Sequence, residues 1–215
     1  MKLLKFLLSI LLLAGLTMVF VACSKSDPTP ATILVSAKIS NLAADPPSGG
    51  YSNMGVPIGV TNKYSLFSFQ TGAVVLNTDS ATTKWDIGFN STKIIVNSGT
   101  SGLGTASGQV VIDIFDAINI APDNGYLQDN KNAVPALYAI TRGSGNGWYS
   151  VNQTSNVVTP IAGKVLIFKT ANGKYAKMEI LSYYLNAPAS PTSADQARYY
   201  TFRYVYQPDG SKSLK

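Results

Sequence analysis

The chain predicts an all-β domain of many short, mostly antiparallel strands, a sandwich or related sheet arrangement with at most one short helix. Three observations carry that prediction. Short apolar runs rich in β-branched and aromatic residues recur along the chain, separated by breaks of Gly, Asn, Ser and Asp. In KVLIFKTANGKYAKMEIL, Asn172-Gly173 sits between two such runs and supplies residues that tolerate the positive φ of a hairpin turn. Helix start and stop signals are nearly absent, the exception being Asp113–Ile118, which ends before Pro122.

The first 22 residues read as a leader rather than as part of that domain. Lys2 and Lys5 form a basic start, Phe6 to Val21 is almost wholly apolar, and small Ala22 precedes Cys23, the only cysteine. That order is a secretory signal peptide rather than a spanning helix. A cysteine at this point resembles the lipobox of bacterial lipoproteins, although Phe20 and Val21 depart from the residues usual there. The resemblance implies cleavage before Cys23 and acylation of its thiol, which attaches an otherwise soluble domain to a bilayer surface. Plain secretion and an uncleaved anchor are the alternatives. Residues 23–31, continuing as SKSDPTPA, are polar and proline-containing, as suits a tether.

Loss of Lys2 and Lys5 with the leader lowers the formal net charge from +6 to +4. Lysine and arginine are scattered, which argues against nucleic acid as a partner. An acylated Cys23 leaves no thiol for a disulfide. Stability therefore rests on an apolar core, for which about 180 residues suffice.

Within residues 32–215 the expected strands are Thr32–Lys38, Tyr64–Phe69, Ala73–Asn77, Lys84–Phe89, Lys93–Val96 and Gln109–Asp113, then Ala136–Thr141, Gly147–Val151, Lys164–Lys169, Tyr175–Tyr184 and Arg198–Gln207. In the last of these, alternation puts Tyr200, Phe202, Tyr204 and Tyr206 on the core side. Loops rich in Pro, Gly, Ser and Asn occupy Asn41–Pro57 and Asn186–Ser193, and no internal repeat is visible.

Catalytic constellations are missing. With no histidine, neither a Ser–His–Asp nor a Cys–His arrangement can form, and zinc sites built on His and Cys are closed. Glu179, the only glutamate, is expected on the solvated face of its strand. GTSGLGTASG (Gly99 to Gly108) lacks the lysine of a phosphate-cradling loop and reads as a strand connection. Asp113 and Asp116 read as solvated charges at a helix start rather than as cation ligands.

Several ordered stretches together resemble the HmuY family, haem-binding lipoproteins of the Bacteroidetes. They are YSLFSFQTGAVVLNTDSATTKWDIGFNSTKIIVNSGTSGLG (Tyr64 to Gly104), FDAINIAPDNGY (Phe115 to Tyr126), GKVLIFKTANGKYAKMEILSYY (Gly163 to Tyr184) and YYTFRYVYQPDGS (Tyr199 to Ser211). The resemblance implies an all-β domain on the outer membrane, at its periplasmic or its outer face. It also implies non-catalytic capture of haem or porphyrin for iron acquisition, with a TonB-dependent outer-membrane receptor as partner. A surface structural or adhesive lipoprotein that kept the fold and lost haem is the alternative.

The ligands that the resemblance implies do not carry over as histidines. Asn152, in NGWYSVNQTSN, is the nearest match to one, and a neutral amide is a weak iron ligand, so it is at best a contact. The other should fall among the 21 residues between Tyr126 and Trp148. The remaining donors are phenol and thioether: Tyr149 or Met54 as the metal ligand, with Tyr126, Tyr138 and Trp148 as further haem contacts. Met178 shares a strand face with Ala176 and Ile180 and reads as core packing. Strand packing is the competing reading for each tyrosine.

Overall fold

The computed structural model describes residues 34–52 and 56–215, so the leader, Cys23, the tether and Met54 lie outside the described residues. Eleven strands follow in chain order: β1 (Ala37–Ala43), β2 (Ser65–Ser68), β3 (Ala73–Val75), β4 (Ile87–Asn90), β5 (Lys93–Val96), β6 (Ser107–Ile112), β7 (Tyr149–Val151), β8 (Val158–Pro160), β9 (Lys164–Lys169), β10 (Tyr175–Tyr184) and β11 (Ala197–Gln207). All their pairings are antiparallel. One sheet has the order β1-β11-β10-β9-β6, a second β3-β2-β4-β5, and β7 pairs with β8.

The two larger sheets share one core. Phe67 of β2, Phe69 just after it and Phe89 of β4 meet Phe168, Phe202, Tyr204 and Tyr200 of the facing sheet, with centroids between 4.7 and 5.7 Å. Met178 is fully buried here between Ala176 and Ile180, as strand alternation requires. Tyr200, Phe202 and Tyr204 are buried on the expected side, and Tyr206 packs at its edge.

The opposite face of the five-stranded sheet is covered too. A 3-10 turn at Phe115–Ala117, where a short helix is expected, lays Phe115 and Ile118 over Val165, Ile167 and Val205. Lys177 points into this layer and donates from Nζ to the carbonyls of Phe115 (2.9 Å) and Ile118 (2.7 Å). Arg203 lies over the Phe115 ring at 4.2 Å and binds Glu179 at 2.7 Å and Asp116 at 3.2 Å. Glu179 is therefore half-buried in an ion pair rather than solvated.

Three expectations shift. Of the first expected strand, Thr32 and Ile33 lie outside the described residues, and the strand begins at Ala37 rather than at Leu34, because the described chain gains a partner only where Ala37 meets Tyr204 of β11. Ala136–Thr141 forms no strand: Leu137 makes a single bridge to Asn130, and the Asp129 carboxylate takes the Ala139 N–H that a ladder would use. β8 goes unsignalled, since Val158–Pro160 is short and ends in a proline, which an edge strand tolerates. The glycine-rich loop is a strand connection, held where Thr100 N–H donates to the Asp129 carbonyl.

Candidate functional site

The stretch NGWYSVNQTSN divides into two physical halves. Trp148 and Tyr149 are buried, with rings 4.9 Å apart, and Trp148 packs on Tyr200 at 5.2 Å while its Nε1 donates to the Thr92 carbonyl. Beyond β7 the chain turns into a loop that Asn152 organises itself: its Oδ1 accepts the N–H groups of Thr154 (2.9 Å) and Ser155 (3.0 Å). Asn156 closes the loop at φ 56°, a region asparagine tolerates.

The three candidate tyrosines belong to different packing groups. Tyr149 is in the main core, and Tyr126 lies on the outer face of the five-stranded sheet, 6.3 Å from Tyr175. Burial, reinforced by Tyr175 and opposed by the Gln109 side chain, pushes the Tyr126 hydroxyl up to about 12. Tyr138 lies beneath Arg142, whose guanidinium carbon is 3.3 Å from the ring centroid. The structure thus does not gather Tyr126, Tyr138 and Tyr149 around one cavity.

What it does gather is a cleft of about 460 Å³ whose walls include Pro46, Pro47, Tyr51, Asp195 and Tyr199. The loops after β1 and before β11 build it. Asp45 anchors the first loop: its carboxylate accepts Thr61 N–H and Oγ1–H, Asn62 N–H and the Asn90 amide. Burial pushes the Asp45 carboxyl up, but those hydrogen bonds outweigh it and hold the group below its ordinary value. Arg198, at φ 69°, donates from Nη1 to the Asp45 carbonyl, and Ala44 N–H donates to the Arg198 carbonyl, joining the loop to β11. Asn41 and Asn186 exchange two hydrogen bonds, and Asp195 accepts from Thr192 N–H and Oγ1–H, shaping the second loop.

Tyr184 pairs with Ala197, which lines this cleft at the start of β11. Burial pushes the Tyr183 and Tyr184 hydroxyls up, Tyr183 to about 12. Tyr184 accepts the Val158 N–H at 2.9 Å, which ties the β7–β8 hairpin to the same end of the fold. The cleft therefore offers proline and aromatic walls, two phenols and one carboxylate, a lining suited to a flat, largely apolar molecule with polar edges. Tyr51 and Tyr199 escaped sequence reasoning because one sits in a loop and the other on the strand side read as facing away from the core. The one available signal was the density of Pro and Gly around Tyr51 in the loop Asn41–Pro57.

A second cleft, of about 450 Å³, is lined by Gln70, Asp79, Lys84, Asp86 and Asn172 among others. Its polar groups bind one another: Lys84 pairs with Asp79 at 3.0 Å, and Asn172 donates to Gln70 at 3.2 Å. Asp86 spends its two oxygens on the N–H groups of Phe69 and Ala171. Among the described residues no three His, Cys, Asp or Glu side chains come together as metal ligands, and no helix is long and apolar enough to cross a membrane.

A search of curated proteins finds no match to this chain. Among solved structures, an apo HmuY analog from Tannerella forsythia is similar with a TM-score of 0.50 at 14% identity, over 85% of this chain and 100% of that one. Apo PinO from Porphyromonas gingivitis aligns with a TM-score of 0.46 at 15% identity, over 82% of this chain and 98% of that one. The first likeness bears on the fold, two facing antiparallel sheets. The family model described as HmuY protein matches residues 61–204, more than half of the sequence, and the chain belongs to the HmuY family.

Proposed function

We propose that this chain is a non-catalytic, lipid-anchored binding protein that takes haem or another porphyrin at the outer membrane as part of haem or iron acquisition. Cys23 is the acylated residue in this reading, and a TonB-dependent receptor is the partner that receives the cargo. The observation that carries it is the cleft beside Tyr51 and Tyr199, in a chain of the HmuY family. Its volume, about 460 Å³, falls within the roughly 300–1,000 Å³ of small-molecule sites. Stacking on phenol rings and burial against Pro46 and Pro47 would hold a planar ring without an iron bond.

The described residues fit the ring better than the metal. The chain has no histidine, and of the cleft's lining groups the phenols of Tyr51 and Tyr199 are of the oxygen type that haem iron accepts. Met54, outside the described residues, follows Tyr51 by three positions in sequence and is the thioether candidate. Tyr149 could bind iron only if the β7–β8 hairpin lifted from the core, because it is 8% exposed.

Titration of the soluble domain with hemin tests the proposal. A saturable Soret shift at micromolar protein is expected, weakened by Tyr51→Ala, Tyr199→Ala or Met54→Ala and unaffected by Tyr149→Phe. Absence of any shift would overturn it. The second reading, a structural or adhesive lipoprotein that kept the fold without the ligand, is favoured by the closed packing of Trp148 and Tyr149. It expects no porphyrin binding by wild type.

A further inference from the structure

We propose that Arg142 and the Tyr64 hydroxyl form an oxyanion receptor for a carboxylate-bearing ligand, on the flank of the four-stranded sheet. This inference stands apart from porphyrin binding and from the cleft beside Tyr51. Arg142 lies in the long connection between β6 and β7, just before Gly143, whose φ of 98° turns the chain away. Its guanidinium lies on the Tyr138 ring, 3.3 Å from the centroid. Nη2 reaches the Tyr64 hydroxyl at 3.5 Å, the outer limit of a hydrogen bond. Nε is shielded from solvent and has no acceptor.

The charge is also uncompensated. Among the described residues the ion-paired cations are Lys84, Arg203 and Lys212, and Arg142 has no carboxylate within pairing distance. Asp129, ten residues before Ala139, is committed elsewhere: Oδ2 accepts Val96 N–H and Oδ1 accepts Ala139 N–H. Nε and Nη2 form the side-on edge of a guanidinium, the edge that matches the two oxygens of a carboxylate. Here that edge makes one marginal bond. Arg142 itself is half-exposed, but a shielded N–H with no acceptor is unfavourable, and an arriving carboxylate would fill that donor and pair the charge.

Tyr64 completes the arrangement. Burial raises the pKa of its phenol more than Arg142 lowers it, so the hydroxyl keeps its proton at neutral pH. While its oxygen accepts from Arg142, that proton is available to a ligand oxygen. Tyr138 fixes the plane of the guanidinium by stacking, which leaves less side-chain freedom to lose on binding. The occupant is a carboxylate, carried either on the edge of a porphyrin or by a separate small organic acid.

Benzoate is the direct probe. In the intact soluble protein, the Arg142 Nε–H resonance should shift saturably on titration with benzoate. Tyr64→Phe should weaken this roughly three- to tenfold, the loss of one hydrogen bond. Arg142→Gln should remove benzoate binding as read by calorimetry. The wild-type resonance needs no variant to fold, so the proposal falls if that signal stays still up to about 100 mM benzoate or if Tyr64→Phe binds as wild type does. Hemin and hemin dimethyl ester distinguish the source. A preference for the free acid that Arg142→Gln abolishes supports a porphyrin carboxylate at the site, whereas equal affinities with benzoate still bound support a separate acid. Loss of hemin binding altogether would sink the porphyrin reading while the benzoate result still decides this one.

Discussion

Replacing Asp86 with alanine should destabilise the fold more than any other single polar-to-alanine change near the second cleft. The carboxylate is 5% exposed and accepts two N–H groups from distant parts of the chain: Phe69 at 2.8 Å and Ala171 at 2.9 Å. It thereby pins the end of β2 to the turn between β9 and β10. Alanine leaves both buried donors without an acceptor, at about 1–3 kcal/mol each, or roughly 2–6 kcal/mol together. An opposing effect trims this. Burial raises the Asp86 pKa in spite of its hydrogen bonds to Ala171 and Phe69, so the native state already bears a cost for holding the charge. We therefore expect a loss of about 2–4 kcal/mol, the lower part of that range. At about 2–4 °C per kcal/mol for a chain of this size, the Tm falls by roughly 5–15 °C.

The pH dependence of the same residue has a definite sign. A carboxyl whose folded pKa is raised binds its proton more readily in the native state. Its contribution is greatest below the unfolded pKa and declines as pH rises through the raised folded value. Asp86→Asn keeps the volume, removes that slope, and sets an NH₂ against a backbone N–H, so it too should destabilise. Urea unfolding of wild type and both variants at neutral and acidic pH measures all three effects. A loss below about 1 kcal/mol for Asp86→Ala would refute the bridging role, since even one orphaned N–H costs about that much.

Three further outcomes are expected. Lys177→Met should cost about 2–4 kcal/mol by leaving the Phe115 and Ile118 carbonyls unpaired, and hydrogen exchange should show the segment 113–121 loosening before the sheets do. Gly173→Ala should cost about 1 kcal/mol in denaturant unfolding: its φ is 78°, and a Cβ there meets nothing within 4 Å, so the penalty is backbone strain alone. Asp45→Ala should flatten the acid limb of a Tm-against-pH curve. A depressed folded pKa contributes stability that is present above the ordinary carboxylate value and lost as pH falls through the folded one.

The legible and illegible parts of this molecule differ in what forms them. β9 and β10 have the bounds read from sequence because two strong strand patterns flank a turn that Gly173 permits locally. Tyr200, Phe202 and Tyr204 reach the core by simple alternation. Ala136–Thr141 has the same apolar character yet forms no strand, because a carboxylate from Asp129 intercepts the Ala139 N–H. Lys177, a charge inside a strand, reads as solvent-facing until a 3-10 turn more than fifty residues away folds two carbonyls onto it. Family-based reasoning pointed to Tyr126, Tyr138 and Tyr149, and packing sent them to three different places.

By itself the sequence determined the class of structure, the turn between β9 and β10, the buried side of β11 and the exclusion of histidine-based chemistry. Each of these follows from local alternation, backbone freedom or residue inventory. Only the tertiary structure decided that the wall of a cleft comes from Pro46, Pro47, Tyr51 and Tyr199, and that Arg142 has no acid partner among the described residues. Both depend on loops separated by many tens of residues, where no periodicity says which loop will meet which. A cavity or an unpaired charge is a relation between such segments, set by how the sheets pack.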